Sequence, residues 1–159
     1  MAFSMNPRDY LTCLMSQLTH AMEHEMTSTA IELNLTLLQL AALAELNHDG
    51  TLSTADLARL TFVTPQNMSL TVSKLESGGF LLRKAHPTNA RVKRLLLTSA
   101  GLKVLRKAVA RAVIIERQMF SGLSSKEKND LRTHLRQCLR GISHSGLKKA
   151  PKRGAGLGN

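Results

Sequence analysis

From Tyr10 onward, apolar residues return at helical spacing: Tyr10, Leu11, Leu14, Leu18, Ala21, Met22 and Met26 fall along one stripe. Asn6-Pro7 ahead of them has the composition of a cap and a first helical residue, so the pattern predicts a long first helix opening at Pro7. Thr36-x-x-Gln39 has the form of a capping box and opens a second helix carrying Leu40, Leu43 and Leu46, which His48-Asp49-Gly50 stops. Ser53-x-x-Asp56 repeats that form and opens a short helix through Leu60. Thr61-Phe62-Val63 leaves room only for a tight turn before Thr64-Pro65, a hydroxyl cap followed by proline at the first helical position. The fourth helix runs to about Ser77 and ends at Gly78-Gly79.

The period then changes. Phe80 to Lys84 and Arg91 to Leu97 are apolar-basic stretches on either side of His86-Pro87-Thr88-Asn89-Ala90, which predicts a β-hairpin with a charged tip. Thr98-Ser99 caps a long helix with Leu102, Leu105, Val109, Val113, Ile114 and Phe120. Ser124-x-x-Glu127 caps a last one with Leu131, Leu135, Cys138, Leu139 and Ile142. From residue 146 the chain carries Lys148, Lys149, Lys152 and Arg153 among Gly, Ala and Pro, a composition that predicts a disordered basic tail.

Two helices joined by a three-residue turn and followed by a basic hairpin make a winged helix-turn-helix, whose second helix enters a major groove. The expected fold is therefore mainly α with a small β-hairpin wing. At 100° per residue, Met68, Thr71, Val72 and Leu75 share the side of the fourth helix that should be core. Gln66, Ser69, Leu70 and Ser73 lie opposite, with Asn67 and Lys74 flanking and Thr64-Pro65 at the entry. That outward face is short-chained and almost uncharged. It suits base edges: Gln and Asn can bond adenine, Ser can bond several bases, and Leu70 can meet a thymine methyl. The wing supplies Arg83, Lys84, Thr88, Asn89, Arg91, Lys93 and Arg94 for phosphates, with a tip arginine for the minor groove.

Charge agrees with this division. The first 50 residues hold one basic side chain, Arg8, against six acids, a balance of −5, which leaves +16 for the remainder within a formal total of +11. Segregation of this kind marks an electrostatic footprint for an acidic partner rather than an evenly solvated surface. Aromatics are only 3% of residues, with no Trp, which argues against the stacking platforms of single-strand and RNA readers, whereas a duplex reader needs none.

The run Leu52-Ser53-Thr54-Ala55-Asp56-Leu57-Ala58, the turn to Val63-Thr64, Leu75-Glu76 through Gly79-Phe80-Leu81 and Arg83, then Asn89-Ala90-Arg91 and Leu97-Thr98-x-x-Gly101 resemble the MarR family of regulators, and Thr36-x-x-Gln39 resembles its second-helix start. The resemblance spans about residues 8–145. It implies a homodimer joined through its first and last helices (1–34 and 100–145), a DNA-binding lobe over 35–99, and the tail beyond. It also implies repression at a pseudo-palindromic operator, relieved by a small phenolic or other anionic ligand or by thiol oxidation. Two positions depart from the family pattern. Asn89 stands where many members carry Asp, and Phe62 stands where such turns often place Gly, so a left-handed conformation is not expected at Phe62.

Other chemistry is sparse. Cys13, with Tyr10 one turn away, lies where oxidation-sensing relatives carry a reactive thiol, but the further tyrosines of those relatives are missing and the neighbours Leu11, Leu14 and Met15 favour a small buried hydrophobe. His20 with His24, and His134 with Cys138, are i,i+4 pairs that more simply serve as surface or inter-subunit hydrogen-bonding groups than as zinc ligands. No Gly-rich phosphate loop, GxSxG or HExxH occurs, so no catalytic residue, metal or cofactor is expected. The contrasting reading to a sequence-specific regulator is an architectural protein that coats DNA by charge. Without an apolar run of membrane length or a disulfide framework, a cytoplasmic protein with no membrane partner is expected.

Overall fold

Thr36, Ser53, Thr64, Thr98 and Ser124 each accept a hydrogen bond from the backbone N–H three residues on, at 3.0–3.3 Å, and each starts a helix. In the computed structural model, which describes residues 6–86 and 89–144, the order is α1 (Leu11–Glu32), α2 (Leu37–His48), α3 (Thr54–Leu60), α4 (Pro65–Ser77), β1 (Leu81–His86), β2 (Asn89–Leu97), α5 (Ser99–Met119) and α6 (Ser125–His144). Thr88 at the wing tip and the basic tail lie outside the described residues.

The first helix starts later than its sequence suggests. Asn6 does accept the Arg8 N–H at 3.0 Å, but it caps a single 3-10 turn, Pro7–Asp9. Tyr10 then extends (φ −66°, ψ 134°), and α1 opens at Leu11 without a side-chain cap.

Three joints end in the same way. After α1, α3 and α4, one residue turns left-handed and the next N–H reaches back to the third-last helical carbonyl: Leu35 to Ala30 at 2.9 Å, Val63 to Ala58 at 3.0 Å and Phe80 to Leu75 at 2.9 Å. The left-handed residues are Asn34 (φ 54°), Phe62 (φ 57°) and Gly79 (φ 73°). Gly and Asn tolerate this conformation. Phe62 does not, and the expectation that the turn avoids a left-handed residue there is overturned at a cost of about 1 kcal/mol. The geometry is imposed from both sides, because Leu57 and Ala58 before the turn and Met68 after it are buried and fix how the two helices meet.

β1 and β2 pair antiparallel from Leu81↔Leu97 to Ala85↔Lys93, then shift register to His86↔Asn89. Leu81, Arg83 and Leu95 share the inward side of this hairpin, and Leu81 and Leu95 join a core built from α2, α3, α4 and the facing parts of α1 and α5. The α5 start is locked onto the α4–β1 turn: Thr98 donates its N–H to the Phe80 carbonyl at 3.1 Å and its hydroxyl to the Gly79 carbonyl at 2.7 Å, and its Oγ1 accepts the Gly101 N–H at 3.0 Å. A Cβ at Gly101 would be driven into the Phe80 carbonyl oxygen, so the Leu97-Thr98-x-x-Gly101 motif serves a close backbone approach.

The chain divides into two compact units, Met1–Glu116 and Arg117–Asn159. In the first, Leu14, Met15, Leu18 and Met22 of α1 and Val109, Val113 and Ile114 of α5 are exposed apolar residues. In the second, α6 exposes Leu135 and Leu139.

Candidate nucleic-acid interface

Proline at the first position and the Thr64 cap fix where α4 begins, and its faces follow from the spacing of its apolar residues. Met68, Thr71, Val72 and Leu75 are all buried, while Gln66, Asn67, Ser69, Leu70, Ser73 and Lys74 are exposed. Thr64 and Pro65 are exposed at the entry. Thr71, the one polar group on the inner side, donates its hydroxyl to the Asn67 carbonyl at 2.9 Å and so is satisfied within the helix. The outer face keeps side chains short enough for backbone and bases to approach closely.

The α3 helix beneath it is held by its own cap. Asp56 accepts the Ser53 N–H at 3.0 Å and its hydroxyl as well, and it pairs with Arg59. These donors, the Ser53 hydroxyl first, hold the Asp56 carboxyl below the ordinary aspartate range. Asp49, at the end of α2, is lowered in the same way by the hydroxyl and N–H of Thr51, and Glu127 by those of Ser124.

The wing residues divide. Lys84 is exposed and Arg94 half-buried, on the side of the hairpin opposite Leu81. Asn89, Arg91 and Lys93 are placed as backbone of β2, and their side chains lie outside the described residues. Arg83, grouped by sequence with the phosphate contacts, is engaged by α4. Its Nε lies 3.0 Å from Glu76 Oε2 as an ion pair, without an aligned hydrogen bond, and its Nη2 donates to Ser73 Oγ at 3.2 Å. The sequence carried a signal for this, because Arg83 shares a strand face with Leu81 and must point toward the core.

A second feature was not read from the sequence. Ser28, Thr29, Glu32 and Leu33 of α1 and Lys107 and Arg111 of α5 line a cleft of about 400 Å³ with a net positive rim. Lys107 and Arg111 stand four residues apart on one helix face, which is the spacing that could have revealed it. Cys13 is half-buried and Cys138 exposed, both as free thiols, and the His20 and His24 rings stand beside Glu23 and Glu25 at 3.6 and 4.0 Å. Among the described residues no group of three or more His, Cys, Asp or Glu is placed to hold a metal. No single helix there is long and apolar enough to cross a membrane, although the bent pair α1 and α2 together reach the necessary length and composition.

The helix-turn-helix and hairpin over residues 35–93 match the MarR family model. That stretch is similar to the MarR family of regulators. Among sequence relatives, the HTH-type transcriptional repressor Rv2887 of Mycobacterium tuberculosis is 29% identical over 111 residues, covering 70% of this chain and 80% of that protein. The crystal structure of Rv2887 with salicylic acid superposes with a TM-score of 0.68 at 26% identity, over 86% of this chain and 99% of that one. A MarR family regulator from Silicibacter pomeroyi reaches a TM-score of 0.80 at 21% identity, over 89% and 96% of the two chains. The likeness in fold thus extends beyond residues 35–93.

Proposed function

We propose that this protein is a MarR-type, sequence-specific, double-stranded DNA-binding transcriptional repressor that acts as a homodimer and is released by a small anionic or phenolic ligand. The observation that carries the reading is the face of α4: Gln66, Ser69, Leu70 and Ser73 stand exposed and uncharged over a fully buried inner side. Rv2887 has been crystallised with DNA as well as with salicylic acid, and at 25–26% identity it is a relative in sequence as well as in fold. In this reading Gln66, Asn67, Ser69, Leu70 and Ser73 meet base edges, with Thr64, Pro65 and Lys74 beside them. Lys84, Arg91, Lys93 and Arg94 meet phosphates, and Arg91 near the tip reaches the minor groove. Residues 35–99 form the reading lobe. Residues 1–34 and 100–145 join the two copies, supported by the exposed apolar positions of α1, α5 and α6. The α1–α5 cleft with Lys107 and Arg111 suits the carboxylate of an aromatic acid.

The test is to select a duplex from a random pool and compare Gln66→Ala with the parent protein on that duplex and on a scrambled one. Gln66→Ala should weaken the selected duplex by about 1–3 kcal/mol and the scrambled one far less. An equal loss on both would favour a protein that coats DNA by charge.

A further inference from the structure

Phe62 combines two features that folding alone does not reward. It occupies a left-handed conformation (φ 57°) at the joint between α3 and α4, where the equivalent positions after α1 and α4 are Asn34 and Gly79. The residue is also 88% exposed, so packing does not compensate for the strained backbone. The joint needs only the hydrogen bonds from the Phe62 N–H to the Arg59 carbonyl and from the Val63 N–H to the Ala58 carbonyl, and glycine would make both without strain. A costly residue kept exposed at such a point indicates a contact made outside the chain.

Its position says where. Phe62 lies two residues before the Thr64 cap, at the end of the helix that enters the groove, on the side from which α3 approaches. In a helix-turn-helix the first helix crosses the sugar-phosphate backbone while the second reads the bases, so the turn between them faces the wall of the groove. We infer that Phe62 is a DNA-contact residue whose ring packs on the apolar deoxyribose face of the strand bordering the groove that α4 occupies. The contact rests on the DNA-binding reading of α4. It is apolar and sequence-independent, and so differs in kind from both the base contacts of α4 and the ionic contacts of the wing.

Phe62→Gly and Phe62→Ala, measured against the parent protein, test this. The glycine variant relieves the strained turn and should raise the melting temperature by about 3 °C. The alanine variant keeps the Cβ, and with it the strain, and should not. Both should weaken binding about tenfold per half-site, the effect of uncovering about 50 Å² of ring carbon. The loss should be the same on selected and scrambled duplexes, with the salt slope unchanged because no counterion is involved. Light-scattering mass should match the parent's. A parent protein that distinguishes selected from scrambled DNA, alongside variants that bind as it does, would overturn the Phe62 contact while leaving the repressor reading intact. A parent that makes no such distinction would remove the reading itself. A loss confined to the selected duplex would overturn the sugar contact in favour of a thymine methyl. A lower melting temperature for the glycine variant, or an altered mass, would assign the ring to folding or to self-association.

Discussion

Arg83 on the inner side of the wing reaches Glu76 in the last turn of α4, with Nε 3.0 Å from Oε2, and also donates to Ser73 Oγ on the exposed side of that helix. The pair ties the wing to α4. Both side chains are partly exposed, so a double-mutant cycle of Arg83→Ala and Glu76→Ala should give a coupling of only about 0.5–1 kcal/mol in stability. DNA binding gives a sharper readout. Glu76→Gln removes a negative charge from a DNA-binding protein, and simple electrostatics would strengthen binding to any duplex. If the pair sets the angle between wing and helix, the selected duplex should instead bind more weakly while the scrambled one does not. Fluorescence anisotropy on both duplexes decides between the two.

Gly101 should tolerate no side chain. Gly101→Ala places a methyl group against the Phe80 carbonyl and so must pry α5 away from the α4–β1 turn that Thr98 holds. Urea unfolding should show a loss of about 2 kcal/mol or more. A variant as stable as the parent would mean that α5 can shift without disturbing the lobe.

The cleft of Ser28, Thr29, Glu32, Leu33, Lys107 and Arg111 should respond to salicylate. Salicylate should raise the melting temperature and release DNA, and Arg111→Ala should raise the concentration needed by about tenfold, the loss of one charge-assisted contact. Glu32→Gln should lower that concentration by removing the negative group on the rim. Unchanged titrations in both variants would place the effector elsewhere.

Acid should act on the caps. The Asp56 carboxyl titrates below its ordinary value of about 3.9, first through the Ser53 hydroxyl and then through its N–H and Arg59. A depressed folded-state value means the contribution is complete above pH 3.9 or so and is lost as pH falls through the lower, folded-state value. Asp56→Asn should therefore melt below the parent at pH 7, and the gap should close below about pH 3.9. Thermal melts from neutral to acid pH measure this directly.

Burial was the part of this molecule most legible in sequence. The four inner residues of α4, the caps at Thr36, Ser53, Thr64, Thr98 and Ser124, and the hairpin all follow from local spacing, because each is decided within one or two turns of chain. The misses lie where distant residues decide. Asn6-Pro7 has a helix-start composition, yet it closes one 3-10 turn and hands over to α1 only after Tyr10. At Phe62 the packing of α3 against α4 overrides the residue's own preference. Arg83 reads as one more wing cation until its strand face turns it toward Glu76. The spacing of Lys107 and Arg111 hints at a basic face, but no local pattern connects it to Glu32 across the cleft.

The three left-handed joints at Asn34, Phe62 and Gly79 have an evolutionary consequence. Each turns the chain in a fixed number of residues, with both flanking carbonyls already claimed, so none offers slack. An inserted or deleted residue at any of them would rotate the following helix or strand about its own axis and present the wrong face to the core. Length variation among related proteins should therefore collect in places such as the wing tip and leave the corners untouched. Under the proposed function, the preferred DNA can change through exchanged side chains on α4, while the route of the chain between its corners stays constant.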